Sequence, residues 1–521
     1  MKRFLVCLLV ITFLLSGCIF NEQKIEGTKI NLSDSKITVD GQEVTNDATQ
    51  AVYSANDIVF YLAGQDFTYG EGEKSDEHEQ SEADAHTVVH ITKPGRYVLS
   101  GKLSLGQIAI NLGEEAEADP AAVVTLILNG VDITCKVAPA IIFYNVYEPF
   151  ADVTEETATK DVDTSKAGAN VIIADGSKNS VNGSYVAKIY KSVELNSDGT
   201  EIVDSKKLHK YDAAFYSKQT MNINGEKKGN GELNIKAENE GLDSELHLTI
   251  NGGIINITSG NDGINTNEDN VSVTTINGGA LNIICDGSTG EGDGIDSNGW
   301  LVINGGTVTA QACASSADAG IDSDKGIYIN GGKVIASGNM LDHIAGGNQT
   351  YAVFSFASRQ KSNETYTLKN SKGKVIGEYA PLNAFTYLII AGDELTPDDY
   401  TFWQGKTQLA ANKSGGMQGG MMGGFRPWGE GNQNWPSSPP KDTERPEASF
   451  DFGALQGERP QRPDGDFEGG KRPEMPNGAQ PEGFSMPEGF GGSFTSNGEA
   501  STTFTIAKGG NQFSNVAKAA S

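Results

Sequence analysis

No arginine occurs between residues 97 and 358, and basic residues are scarce throughout. The chain carries 40 lysines and arginines against 68 acidic residues, a formal net charge of −28. That balance excludes nucleic acid as a partner, because phosphate neutralisation needs basic patches. It also means that an anionic ligand would need a bridging cation. Cysteine is scarce as well: beyond residue 18 only Cys135, Cys285 and Cys313 remain. An odd number of scattered thiols gives neither a disulfide framework nor metal-ligand spacing. Cys285 falls in an inward column and reads as a small buried hydrophobe, although a Cys285–Cys313 bridge between neighbouring repeats could form. Helical periodicity and leucine-rich signatures are absent. So are the EF-hand, nucleophile-elbow, phosphate-loop and zinc patterns, and the spacing is not that of nine-residue calcium rolls. No catalytic residue is assigned.

Long apolar runs are confined to the N-terminus. Lys2 and Arg3 precede the apolar residues 4–15, and Leu15-Ser16-Gly17-Cys18 follows. This resembles a bacterial lipoprotein signal, cleaved before Cys18 with lipid on its thiol. The expectation is a protein held at the outer side of the cytoplasmic membrane, or at the cell surface, by that anchor and not by a span. No later stretch has the ~20 apolar residues of a transmembrane helix.

What the chain does have is a repeat. Asn-Gly-Gly recurs at Asn251, Asn277, Asn304 and Asn330, each after an isoleucine, with a degenerate copy at residues 221–225. The period of about 26 residues lies in the range of repeat architectures. In phase with it run Gly-Leu-Asp-Ser at 241–244, Gly-Ile-Asn-Thr at 263–266, and Gly-Ile-Asp-Ser at 294–297 and 320–323. Aligning the turns stacks Ile255, Leu281, Val308 and Val334 in one column, and Ile257, Ile283, Ala310 and Ala336 in a second. Asn256, Asn282, Thr309 and Ile335 lie between them and would face out, the alternation of strands with one buried face. So short a unit cannot bury its apolar column alone, but stacked units can. The Gly and Asn turns supply the positive φ of sharp corners.

The expected fold is all-β: a right-handed parallel β-helix, or β-solenoid, of about 26 residues per coil with a C-terminal β cap. The expected boundaries are a signal peptide at 1–17, a tether and irregular lead-in at 18–86, and the β-helix at 87–347. The cap would follow at 348–413, a disordered Gly/Pro/Met-rich insertion at 414–495, and terminal strand(s) at 496–521. Irregular insertions within the β-helix are expected at 113–119, 150–168 and 188–210.

The acidic turns are the candidate chemistry. In Gly-Ile-Asp-Ser the isoleucine faces inward, so the next residue faces out, giving the column Asp243, Asn265, Asp296 and Asp322. Three residues earlier stand Glu240, Asp262, Asp293 and Ala319, with Asp318 beside the last. Neighbouring strands lie ~4.8 Å apart, and carboxylates stacked at that spacing repel unless solvent or a cation compensates. Ca²⁺ suits such an oxygen-rich set better than octahedral Mg²⁺, although Asp, Asn and Gly are also simply what tight turns use. Candidate ligands are therefore Asp243, Asp262, Asn265, Asp293, Asp296, Asp318 and Asp322. Tyr216, Trp300 and Tyr328 are candidate platforms for sugar rings, with packing at the edge of the core as the alternative for each. Lys325, beside Asp324, is the one base near the acidic turns and a further candidate carbohydrate contact, with a surface turn position as the alternative. His247 is expected to face outward.

The order of Ile91-Thr-Lys-Pro-Gly-Arg-Tyr-Val-Leu-Ser-Gly101, Leu128-Asn-Gly-Val-Asp-Ile133, Ile173-Ala-Asp-Gly176 and the repeats resembles a bacterial carbohydrate-binding domain family. The resemblance covers residues 85–412 and the last strand. It implies a secreted lipoprotein with a pectate-lyase-like right-handed parallel β-helix, calcium at the acidic turns, and carbohydrate on one face. Acidic plant polysaccharide (polygalacturonate) or cellulose is the implied partner, and a monomer is expected. The alternatives are a pectate lyase-like polysaccharide lyase and a structural cell-envelope adhesin. The arginine-free repeat speaks against the lyase.

Overall fold

The computed structural model describes residues 25–413 and 500–519. The expected signal peptide, the lipidation site Cys18 and the 414–495 insertion lie outside the described residues. The described chain is all-β, with one short α-helix at Gln80–Asp84 and two 3-10 turns. Its strands fall into a 26-stranded sheet, a 7-stranded sheet and a two-stranded ribbon.

The repeats at 240–259 and 264–285 contribute three strands each, and the two after them two strands each, with Ile295 reduced to an isolated bridge. Glu240–Ser244, His247–Ile250 and Ile254–Ser259 are followed by Ile264–Thr266, Val273–Ile276 and Ala280–Cys285. Every strand pairs in parallel with its equivalent in the next repeat, as in Leu242↔Ile264, Leu248↔Thr274 and Ile257↔Ile283. The columns read from the Asn-Gly-Gly spacing are register partners. Ile255 pairs with Leu281, then Val308, then Val334, and Ile257 with Ile283, Ala310 and Ala336. All of them are buried. Each large aliphatic side chain withdrawn from water in this way contributes roughly 1.5–3 kcal/mol, which is why a six-residue strand holds its register.

The turns do more than turn. Asn251, Asn277, Asn304 and Asn330 each donate Nδ2–H to the side-chain oxygen of the asparagine one repeat earlier, at 2.8–2.9 Å, starting from Asn224. Asn256 and Asn282 form a second, shorter ladder from Asn234. The second glycine of each turn has positive φ (93° at Gly253, 89° at Gly279), and a Cβ on Gly279 would lie 2.7 Å from the Gly253 carbonyl oxygen. Only glycine allows that approach.

Three expectations change, concerning Ile335, the lead-in and residues 188–210. Ile335 does not face solvent: Lys333–Gly338 pairs antiparallel with Phe385–Ala391, and Ile335 joins a second core with Phe354, Phe402 and Phe513. The lead-in is not irregular throughout, since Thr28–Leu32 pairs in parallel with Gly95–Leu103. Residues 188–210 belong to a long hairpin of Val186–Leu195 and Ile202–Tyr211. The terminal strand Gly510–Lys518 rejoins the C-terminal region, parallel to Tyr351–Gln360 and antiparallel to Thr407–Lys413. Cys135, Cys285 and Cys313 are buried free thiols.

Candidate functional site

The acidic motifs lie at one edge of the 7-stranded sheet: Glu240–Ser244 and Ile264–Thr266 are its last strands, and 294–297 and 320–323 follow beyond it. Leu242, Ile264, Ile295 and Ile321 point inward and are fully buried. Two residues on, the hydroxyls of Ser244, Thr266, Ser297 and Ser323 are buried as well and fasten the corner. Ser297 Oγ donates to the Trp300 carbonyl (2.9 Å), and Gly326 N–H donates to Ser323 Oγ (2.9 Å). The residue between must therefore face outward, and Asp243 and Asn265 are register partners on that face. The bridge between Ile264 and Ile295 carries the column on to Asp296, and the bond from Asp322 N–H to the Ile295 carbonyl (2.7 Å) carries it to Asp322.

The offset acids play a different part. Asp262 Oδ1 accepts the Asp293 N–H (2.7 Å), Asp293 Oδ1 accepts the Ala319 N–H (2.5 Å), and Asp318 Oδ2 accepts the Gly292 N–H (2.5 Å). One oxygen of each thus ties one repeat to its neighbour, the turn-forming role that acids commonly take. At Asp262 and Asp293 the bonds favour ionisation, yet burial and neighbouring acids outweigh them. Asp262 is pushed up to about 7 by burial and the Asp296 charge, and Asp293 well above the carboxylate range by burial and Asp322. In the outer column burial raises Asp296 to about 6, with Asp324 adding to it, and Asp322 to about 8, with Asp342 adding to it. Like charges this close, partly out of water, disfavour ionisation of one another.

Two oxygens in this stripe have no partner. Asn265 donates Nδ2–H to Glu240 Oε1 (3.2 Å), but Asn265 Oδ1 and Glu240 Oε2 are buried without a hydrogen bond. Glu240 and Asn265 are 6% and 8% exposed, so solvent cannot easily serve them. Among the described residues no three His, Cys, Asp or Glu side chains stand close enough to hold a metal ion by themselves. An ion here would need amide or carbonyl oxygens as well.

At the end of the stripe beside the hairpin, the counter-charge is a lysine. Lys210 Nζ lies 2.7 Å from Asp212 Oδ2 and Lys207 Nζ 3.4 Å from Glu245 Oε1, while the Asn267 amide bonds both oxygens of Asp243 (3.1 and 3.0 Å). Asp243 is fully buried there.

The aromatic candidates separate. Tyr216 is 1% exposed, its hydroxyl bonded to Glu245 and its ring against Tyr211, so it cannot stack on a sugar. It takes the column position of Asp243, where the hairpin covers it. Trp300 and Tyr328 are half-buried on the same face of adjacent strands. Lys325 Nζ lies 4.9 Å over the Trp300 ring, and Lys160 Nζ 5.2 Å over Tyr328. His247 takes the outward position expected of it, in the column of Trp300, but it is buried there under residues 146–168. Its Nδ1 accepts the Val273 N–H, its ring meets Phe150 edge-on, and burial pushes its pKa down to about 4.

The spacing did not disclose Asp342, which Asp322 faces, because it stands only 20 residues after Asp322, out of phase with the period. Leu341-Asp342 restates Ile321-Asp322, and that apolar–acid pair was the available signal. Asp212 was equally hidden, since it precedes the strand of a degenerate copy.

A model of the carbohydrate-binding domain-containing protein family matches residues 85–396. A carbohydrate-binding domain-containing protein of Acetivibrio thermocellus is 31% identical over 171 residues, which are 32% of this chain and 44% of that relative. The chain thus spans less than half the length of that curated relative. Among solved structures, a polysaccharide lyase-like protein from C. thermocellum, studied as a gadolinium derivative, is similar at a TM-score of 0.33 and 20% identity. That match covers 62% of this chain and 99% of the other.

Proposed function

The chain belongs to the carbohydrate-binding domain-containing protein family, and from that premise we propose that it holds acidic, pectin-like polysaccharide through calcium at the acidic turns. In this reading the repeats wind as a right-handed parallel β-helix. A lipid on Cys18 tethers the protein outside the cytoplasmic membrane. The observation that carries the reading is the pair of orphaned oxygens, Asn265 Oδ1 and Glu240 Oε2, set among acids that raise one another's pKa. A hard cation with oxygen ligands would satisfy both oxygens and relieve the repulsion. Asn265, Glu240 and Asp262 would hold it at the centre of the stripe, and Asp296 and Asp322 on the more open side. When bound, calcium supplies positive charge that a uronate carboxylate can share. The chain's own residues orient the ligand: Trp300, with Lys325 on its face, borders the Asp296 turn.

The test is retention on insoluble polygalacturonate and on cellulose, with calcium and with a chelator, reading the supernatant for unsaturated uronide products. Chelator-sensitive retention on polygalacturonate without product is the expected result. Product would replace the binding reading with a lyase. Failure on both glycans would leave the structural adhesin.

A further inference from the structure

Residues 146–168 leave the repeat after Ile141–Asn145 and re-enter it at Ala169–Ile173. Between those points they form a strap across the strand face on the other side of the corner from the acidic stripe. Each attachment of the strap is specific. The Glu148 carboxylate accepts the N–H and the hydroxyl of Thr220 (2.6 and 3.0 Å), and Phe150 packs edge-on to His247 at 4.8 Å. Thr164 Oγ1 lies 2.7 Å from Asn222 Oδ1 and 2.8 Å from Thr249 Oγ1. Lys160, further back along the strap, reaches the Tyr328 ring. The strap therefore reaches from the neighbouring strands that carry Asn222 and Thr249 to the strand of Tyr328, three strands further on.

Beside it runs a groove of about 370 Å³, bounded by Asp163 and Ser165 on the strap, by Asn170, and by the asparagine ladder at Asn224, Asn251 and Asn277. That volume falls among clefts for small ligands, ~300–1,000 Å³. Its chemistry is unlike that of the acidic stripe. A primary amide has two N–H groups and two acceptor sites. Asn251 and Asn277 each use one N–H and one acceptor site within the ladder, leaving one donor and one acceptor on each to meet a ligand. The Asp163 carboxylate is the one formal charge on the lining. It accepts the Ser165 N–H (3.0 Å), and the bonds from Ser165 hold its pKa below the usual value, so it stays ionised near neutral pH. It would repel a uronate and accept from a hydroxyl. Repeated amide donors and acceptors beside a fixed acceptor suit a molecule with several neighbouring hydroxyls and no charge.

We propose that the strap groove is a second sugar site, which takes a neutral glycan and needs no calcium. It rests on the family's carbohydrate binding but not on calcium at the acidic turns. No aromatic ring lines the groove, so binding should be weak and driven by hydrogen bonds.

The test is calorimetric titration of the full chain with cellohexaose, xylohexaose and mannohexaose in chelator. Ser165 is exposed, so Ser165→Trp should fold while filling the groove, and Ser165→Ala should leave it open. We expect at least one hexaose to bind, at least tenfold weaker binding in Ser165→Trp, and binding within about twofold of the parent in Ser165→Ala. Calcium-dependent retention on polygalacturonate should be the same in all three proteins. Absence of binding by every hexaose, or equal binding by Ser165→Trp, overturns the proposal. Loss of polygalacturonate retention with hexaose binding intact would count against the calcium reading alone.

Discussion

The two ends of the acidic stripe are built from the same turn, yet they solve the same electrostatic problem differently. Beside the hairpin, Asp212 has the Lys210 ammonium, Glu245 has Lys207, and Asp243 has the Asn267 amide. At the other end Asp296 and Asp322 face Asp324 and Asp342, and among the described residues none of these four forms an ion pair with a lysine or arginine. A repeat fixes the spacing of its acids but not their neutralisation. An inserted hairpin supplies a built-in cation at one end, and in the proposed reading a cation from solution serves the other.

The sharpest way to break this comparison is to remove charge at the open end alone. Asp296→Ala with Asp322→Ala should lower calcium-dependent retention on polygalacturonate by at least tenfold, whereas Asp243→Asn, at a fully buried position, should change it by less than about twofold. Equal losses at the two ends would mean that the stripe acts as one site or not at all.

Next in size is the effect of pH. Asp262, Asp296 and Asp322 have folded pKa values of about 7, 6 and 8, above the ordinary 3.8. The folded protein therefore holds protons that the unfolded chain releases, so this contribution to stability is present at low pH and lost as pH rises through the folded values. In chelator the Tm should fall between pH 5 and pH 8 by several degrees, on the order of 2–4 °C for each 1 kcal/mol lost. Calcium should flatten that slope. A Tm in chelator that rises over this range would contradict the placement of these acids.

Lys210→Met turns the hairpin end into a copy of the open end. The lysine is 46% accessible but Asp212 only 11%, so the loss should exceed the ~1 kcal/mol of a surface pair, because a buried carboxylate is left without its partner. The gain in Tm on adding calcium should become larger than in the parent. An unchanged gain would show that a mobile cation cannot replace the lysine. The smallest effect belongs to Lys325→Gln, at the rim of the open end. Unfolding free energy should move by no more than about 0.5 kcal/mol, and retention should stay within about twofold. A tenfold loss would make Lys325 a direct ligand contact.

Much of this was legible before any coordinates. The phase of Asn-Gly-Gly gave the register of Ile255 with Leu281 and of Asp243 with Asn265, because a buried face admits no slip by one residue. The rest depended on what lies across the strands. Turn asparagines looked like conformational choices, and only stacking shows them bonded to each other. Asp262, Asp293 and Asp318 looked like free ligands, but each gives one oxygen to a neighbouring backbone N–H. Tyr216 and His247 stand at outward positions of their strands yet are buried, because insertions pack on them, and insertions do not follow the period. Ile335 looked outward because its cover arrives from residues 385–391, beyond the repeat.

The position of Gly510–Lys518 has a consequence in time. It pairs with both Tyr351–Gln360 and Thr407–Lys413, and Phe513 stacks on Phe354 with ring centroids 5.4 Å apart. On a ribosome the repeats can pair one after another as they emerge, each upon the last, since their contacts are between neighbours. The C-terminal core cannot: Phe354 and Phe402 must wait for more than a hundred further residues before Phe504 and Phe513 arrive to cover them. During synthesis, then, the apolar face at Phe354 is the last large surface to be shielded. A nascent chain stalled before residue 504 would present it to chaperones and proteases while its repeats are already formed.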